Sequence, residues 1–161
     1  MTVEEYNSAV GKYSDNLYRF ILKNVKVIET AQDIVQETYE KLWVKLESVE
    51  AGKVKSYLFT AGYHTMIDYI RKRNRLSDLE GIDLNRHSHD KQYSDIREVL
   101  NRAIENLPED QRSVLLLRDY EGYSYKEIAD ITNLTETKVK VYIYRARVYL
   151  KSYIGSPEQV I

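Results

Sequence analysis

The chain has 161 residues, carries 24 Lys and Arg against 25 Asp and Glu for a formal net charge of −1, and contains no Cys. That length suits one ordinary domain or two small ones. The missing cysteines and the lack of a basic-then-apolar leader at Met1 count against a disulfide framework and secretion, and no apolar run approaches the ~20 residues that span a bilayer. A mostly helical protein of the cytoplasm, without membrane insertion, is therefore expected, and attraction to a polyanion must come from local clusters of basic residues.

In chain order, the first amphipathic stretch runs from about Val3 to Lys23, with Val10, Leu17, Phe20 and Ile21 at helical spacing. Thr30 is suited to cap a second helix that reaches about Leu46, with Asp33 three residues on. Ala31, Val35, Leu42 and Leu46 fall on its inner face, flanked by Ile34 and Tyr39, while Asp33, Gln36, Glu37 and Glu40 project the other way. Gly52 breaks the pattern, so residues 47–56 read as a loop. A third helix is predicted from Tyr57 to about Arg75. Its inner face takes Leu58, Phe59, Gly62, Met66, Tyr69 and Ile70, and its outer face Tyr57, His64, Asp68, Arg71, Lys72 and Arg75.

From Leu76 to Tyr93 the periodicity is lost, and Ser, Asp, Asn, Gly and His accumulate. This composition predicts a flexible linker, residues 76–94, between an amino-terminal domain of residues 1–75 and a carboxy-terminal domain of residues 95–161. The fold class expected is all-α, two small helical domains. Helical spacing returns at Ile96, Val99, Leu100, Ala103, Ile104 and Leu107. Pro108 then opens another helix, with Glu109 and Asp110 in its first turn, Val114, Leu115 and Leu117 inward, and Gly122 placed to end it.

The segment SYKEIADITNLTETKVKVYIYRARVYL, Ser124 to Leu150, has the organisation of a helix-turn-helix. Ser124 and Glu127 are spaced as a capping box, and Ile128, Ala129 and Ile131 give the first helix its inner face. Asn133 tolerates the left-handed turn, Leu134 plugs the angle between the helices, and Thr135 caps the second. There Val139, Ile143, Ala146 and Leu150 share the core stripe, leaving Thr137, Lys138, Lys140, Val141, Tyr144 and Arg145 outside. No acidic residue occurs between Glu136 and Glu158. A solvated face ordinarily mixes charges, and Val141 gains nothing from water. A major-groove surface accounts for both features, since Lys and Arg meet phosphates or guanine edges and a small apolar side chain meets a thymine methyl.

Together with DIVQETYEKLW, Asp33 to Trp43, and SYLFTAGYHTMIDYIRKRNR, Ser56 to Arg75, this helix-turn-helix resembles the extracytoplasmic-function sigma factors of bacterial RNA polymerase. The resemblance spans nearly the whole chain. It implies a protein that gives the polymerase its promoter choice, without catalysis, cofactor or metal of its own. Asp33, Gln36, Glu37 and Glu40 would face the β′ clamp helices. The loop from Ser48 to Lys55 would capture a base flipped out of the minus-ten strand, with Lys53 and Lys55 on the backbone. His64, Arg71, Lys72, Arg73 and Arg75 would lie along the neighbouring minus-ten duplex, the basic residues on phosphates. The carboxy-terminal domain would dock on the β flap and read the minus-thirty-five element through Thr135, Thr137, Lys138, Lys140, Val141, Tyr144 and Arg145. An anti-sigma factor is a further partner the resemblance allows. Two departures bear on base preference: His64 stands where the family usually has Asn, and KVKVY, Lys138 to Tyr142, replaces its usual TVKSR.

The rival reading is a stand-alone helix-turn-helix regulator, but such proteins usually dimerise and residues 1–94 offer no clear dimer seam. An enzyme has less support. His87 and His89 form an isolated H-x-H, a spacing more often solvated than metal-bound, and no nucleophile or phosphate-loop signature is recognisable.

Overall fold

Thr2 opens the first helix, α1 (Val3–Val25): its hydroxyl accepts from the Glu5 amide and the Glu5 carboxylate accepts from the Thr2 amide. This reciprocal cap satisfies donors that a helix start otherwise leaves orphaned. α1 ends at Lys26 in the left-handed conformation, φ 65°. Val27 alone is extended before α2 (Ile28–Val44) begins. Thr30 is therefore not the cap. The reversal after Lys26 starts α2 three residues earlier, with Val27, which has no side-chain oxygen to accept, in the cap position. In the computed structural model, residues 1–80 and 96–155 are described.

Past α2, two 3-10 turns, Leu46–Ser48 and Ala51–Lys53, lead into α3 (Val54–Glu80). The loop expected over residues 47–56 is thus largely turned, and α3 starts three residues before Tyr57. It also continues past Arg75, taking up Leu76 to Glu80, which the sequence assigns to the linker. No Gly or Pro interrupts those five residues, and Leu76 and Leu79 keep a helical spacing even though both are exposed.

Helices α1, α2 and α3 pack pairwise into one unit. Its core holds Leu17, Phe20, Ile21, Ile34, Leu42, Leu58, Phe59 and Met66, all fully buried, each contributing about 1.5–3 kcal/mol of transfer free energy. Phe20 and Phe59 meet at 5.8 Å between ring centroids. On α2 the buried stripe is Ala31, Ile34, Thr38, Tyr39 and Leu42, while Val35 and Leu46 are half-buried. The inner face is rotated toward Ile34 and Tyr39 relative to the expected one. Gly62 permits α3 to approach α1 closely, for a Cβ there would sit 2.9 Å from Leu17 Cδ1.

The second unit comprises α4 (Ile96–Glu105), α5 (Glu109–Asp119), α6 (Tyr125–Thr132) and α7 (Glu136–Ile154). Helix α7 packs on the other three, and α5 on α6. The core is Val99, Ala103, Ile104, Leu107, Val114 to Leu117, Ile128, Ile131, Val139, Ile143 and Ala146. Arg112 is buried among them and donates to the carbonyls of Glu105 and Leu107, which supplies donors to carbonyls at and just past the end of α4. Leu116, absent from the expected inner face, is buried as well. The described residues are thus all-helical in their regular structure.

Candidate nucleic-acid interface

The helix-turn-helix is built by local rules that the sequence displays. Ser124 and Glu127 form a reciprocal capping box, at 3.1 and 2.9 Å, and Asn133 adopts φ 61°, ψ 28°. Thr135 accepts from the Lys138 amide at 3.1 Å. After α5, Gly122 takes φ 76°, where a side chain would be strained. These terminations set the direction of α7. Val139, Ile143 and Ala146 are buried, Leu150 is half-buried, and Thr135, Thr137, Lys138, Lys140, Val141, Tyr144 and Arg145 are all exposed. Val141 stays 38% and Tyr144 69% exposed. Cations, hydroxyls and apolar side chains thus share one unpacked face, suited to a groove carrying both phosphates and base edges.

This face is less uniformly basic than the sequence suggests. The Lys140 ammonium lies 3.7 Å from the Glu136 carboxylate and 5.7 Å from the Tyr125 ring centroid. Beside it, Arg147 donates to the Asp119 carboxylate from two of its guanidinium nitrogens, Nε and Nη2, the shorter contact 2.6 Å. That hydrogen bond is the main cause that raises the Arg147 pKa above its ordinary value. This pair joins α7 to α5 across 28 positions, a contact that spacing in the sequence does not disclose.

In the first unit, the outer face of α3 carries His64, Asp68, Arg71, Lys72 and Arg75 exposed, and residues Asp68, Arg71, Lys72, Asn74 and Arg75 border a depression of about 640 Å³. Arg73 departs from this set. Its guanidinium turns inward and donates to the Val25 carbonyl at 2.9 Å, tying α3 to the end of α1. Tyr69, expected in the core, is 37% exposed; burial first, then the nearby Glu37 and Asp33, raises its hydroxyl pKa.

The turns between α2 and α3, with the start of α3, border an open depression of about 370 Å³ lined by Ser48, Val49, Glu50, Lys53, Ser56, Tyr57 and Thr60. Lys53 is exposed and pairs with Glu50 at 3.7 Å, while Lys55 is half-buried. The lining combines one aromatic ring with hydroxyls and a charged pair, the elements needed to stack and hydrogen-bond a planar heterocycle. Tyr57 was legible as an outward residue, but its place in this depression depends on how the turns fold back.

On α2, Asp33, Gln36 and Glu40 are exposed and Glu37 is half-buried. Gln36 donates to Glu40 at 3.3 Å, and Glu37 lies 3.8 Å from Lys41, whose ammonium also donates to Thr65. Trp43, half exposed, packs edge-on to Tyr6 nearby. His87 and His89 lie outside the described residues.

A helix-turn-helix unit with an exposed, largely cationic face, together with a three-helix unit bearing an acidic face and a basic one, fits a protein of transcription initiation. The family model for sigma-70 region 2 matches residues 9–76 and that for sigma-70 region 4 matches residues 97–150. The chain is 31% identical to the extracytoplasmic-function RNA polymerase sigma factor SigM of Bacillus subtilis over 157 residues, which cover 94% of each chain. It is 30% identical to RNA polymerase sigma factor SigV of the same organism, covering 86% of this chain and 84% of that one. Among solved structures, the sigma factor RpoE of Bartonella quintana, crystallised with the anti-sigma factor NepR, superposes with a TM-score of 0.81 at 27% identity, covering 96% and 99% of the two chains. The chain belongs to the extracytoplasmic-function sigma factors. It directs RNA polymerase core to promoter DNA and initiates transcription there. The likeness to SigM runs through both units, which a stand-alone regulator would not require.

Proposed function

We propose that the sigma-factor activity is divided among three faces. The outer face of α7, Thr135, Thr137, Lys138, Lys140, Val141, Tyr144 and Arg145, reads the minus-thirty-five element in the major groove. His64, Arg71, Lys72 and Arg75 on α3 follow the duplex beside the minus-ten element, and the open depression at Tyr57, with Lys53 and Lys55 near it, receives a base leaving the stack. Arg73 is omitted because its guanidinium bonds Val25. Asp33, Gln36, Glu37 and Glu40 on α2 meet the β′ clamp helices, and the second unit meets the β flap. The first unit, ending with α3 at Glu80, and the second, opening with α4 at Ile96, serve as separate promoter-binding domains joined through the residues between them. The protein works in the cytoplasm as a regulatory subunit without catalysis of its own, and an anti-sigma factor restrains it, as NepR is bound to RpoE.

The observation that carries this reading is the division of α7 into a buried stripe and an exposed face mixing cations with Val141. Run-off transcription with core polymerase on a genomic fragment library tests it. Start sites should align on two shared elements upstream. Replacing Lys138, Lys140, Val141 and Arg145 together by alanine should abolish selection at the upstream element; unchanged selection would refute the assignment.

A further inference from the structure

Tyr125 begins α6, one residue after the Ser124 cap, and is half-buried. Two cations meet its ring. The guanidinium carbon of Arg118 lies 4.6 Å from the centroid and the Lys140 ammonium 5.7 Å, both within the range of cation–π attraction. Side chains from α5, the start of α6 and α7 therefore converge on one ring. Arg118 is itself fixed, donating to the Tyr123 carbonyl at 3.0 Å, and Lys140 is drawn to Glu136.

Of these cations, Lys140 alone belongs to the exposed face assigned to DNA. A lysine on its flexible stem loses rotamer freedom when it binds a phosphate, and that loss weakens the contact. A ring and a carboxylate that hold the ammonium beforehand remove part of the loss from the binding step. We infer that Tyr125 is a positioning residue that pre-orients Lys140 toward the phosphate backbone of the promoter duplex. The inference rests on the reading of α7 as the DNA-facing helix.

The test uses holoenzyme assembled from the full chain and core polymerase, with a fluorescent promoter fragment recovered by the run-off selection, titrated at several salt concentrations. Lys140→Ala should weaken binding and lower the salt slope by about one. Tyr125→Leu should weaken binding about two- to five-fold, Tyr125→Phe should not, and a pentafluorophenylalanine at this position, which keeps the ring but reverses its quadrupole, should behave as leucine does. None of these changes should add to Lys140→Ala, a non-additivity that a merely structural role would not produce. Melting temperatures are measured alongside, and the fluorinated ring retains the packing if leucine does not. If Lys140→Ala leaves affinity and slope unchanged, the reading of α7 fails at this position and the inference falls with it. If Lys140→Ala acts while both Tyr125→Leu and the fluorinated ring are silent, the inference alone is overturned. Additive losses, or a Tyr125→Phe defect equal to that of leucine, also overturn it, the latter because a lost hydroxyl contact would then explain the effect.

Discussion

Lys140 and Ile143 sit one turn apart on α7, yet they should fail in different ways. Truncating buried Ile143 to Ala removes packed volume and should cost about 2–5 kcal/mol, lowering the melting temperature and promoter activity together. Arg145→Ala, at an exposed position, should leave melting nearly unchanged. A lost phosphate contact there would weaken all sequences and reduce the salt slope by about one, whereas a lost base contact would cost about 1–3 kcal/mol and relax preference at one position. Affinity of the holoenzyme for matched promoters at several salt concentrations, beside thermal melting, separates these outcomes. Arg73 makes the same distinction on α3. Because it donates to the Val25 carbonyl, Arg73→Ala should destabilise the first unit by about 1–3 kcal/mol, while Arg71→Ala and Arg75→Ala should stay within about 0.5 kcal/mol in melting and reduce promoter opening instead. Melting in which all three variants behave alike would contradict the inward role of Arg73. The run Arg71, Lys72, Arg73 and Arg75 reads in the sequence as one basic face, since nothing local marks which guanidinium meets a carbonyl 48 positions away.

Helix boundaries were legible where the chain carries a local chemical cause. Ser124 with Glu127, Asn133 and Thr135 each terminate or start a helix through bonds within a few residues, so the helix-turn-helix could be laid out before any tertiary contact was known. The start of α2 could not, because Thr30 offered a local cap, whereas the left-handed turn at Lys26 brings the chain into the helix already at Ile28. The end of α3 was obscured in the same way by polar residues that read as linker. Asn133 gives this scale its prediction. Asn133→Gly should leave melting within a few tenths of a kcal/mol, whereas Asn133→Val puts a branched side chain at positive φ and should cost about 1–2 kcal/mol; equal melting of the two variants would mean that the turn relaxes. The seam of α1 and α2 yields a pH effect. Burial raises the Tyr39 hydroxyl pKa, and Tyr6 adds to the rise, against a smaller opposing hydrogen bond from Ser14. With the folded pKa above the unfolded value of about 10, this contribution to stability is full below that pH and is lost as pH rises through the folded pKa. Melting recorded from pH 8 upward should therefore fall above about pH 10, and Tyr39→Phe should flatten the alkaline limb.

Across the whole molecule the net charge is −1, so long-range attraction cannot bring the chain to DNA. The charges are instead sorted by face, with the exposed carboxylates of α2 on one helix and the cations of α3 and α7 on others. Such sorting suits a protein that first joins a large partner and only then meets a polyanion at short range. If the acidic face of α2 meets the polymerase, as proposed, its reversal should act before DNA is present. Glu37 is a poor place to test this, because it is half-buried, lies 3.8 Å from Lys41 and sits near Tyr69, whose hydroxyl pKa it helps to raise, so a lysine there would set like charges together within the fold. Asp33 and Glu40 are exposed. The double variant Asp33→Lys, Glu40→Lys removes only surface interactions, worth about 0–1 kcal/mol each, and should melt close to the parent chain. Its association with core polymerase should weaken at least tenfold if two complementary charge pairs are replaced by like-charge contacts, each costing upward of about 0.7 kcal/mol at a desolvated interface. Raising the salt should narrow the difference between variant and parent. Co-purification and titration with core enzyme in the absence of DNA supply the measurement, and parent-like affinity in the double variant would transfer the polymerase contact to another face.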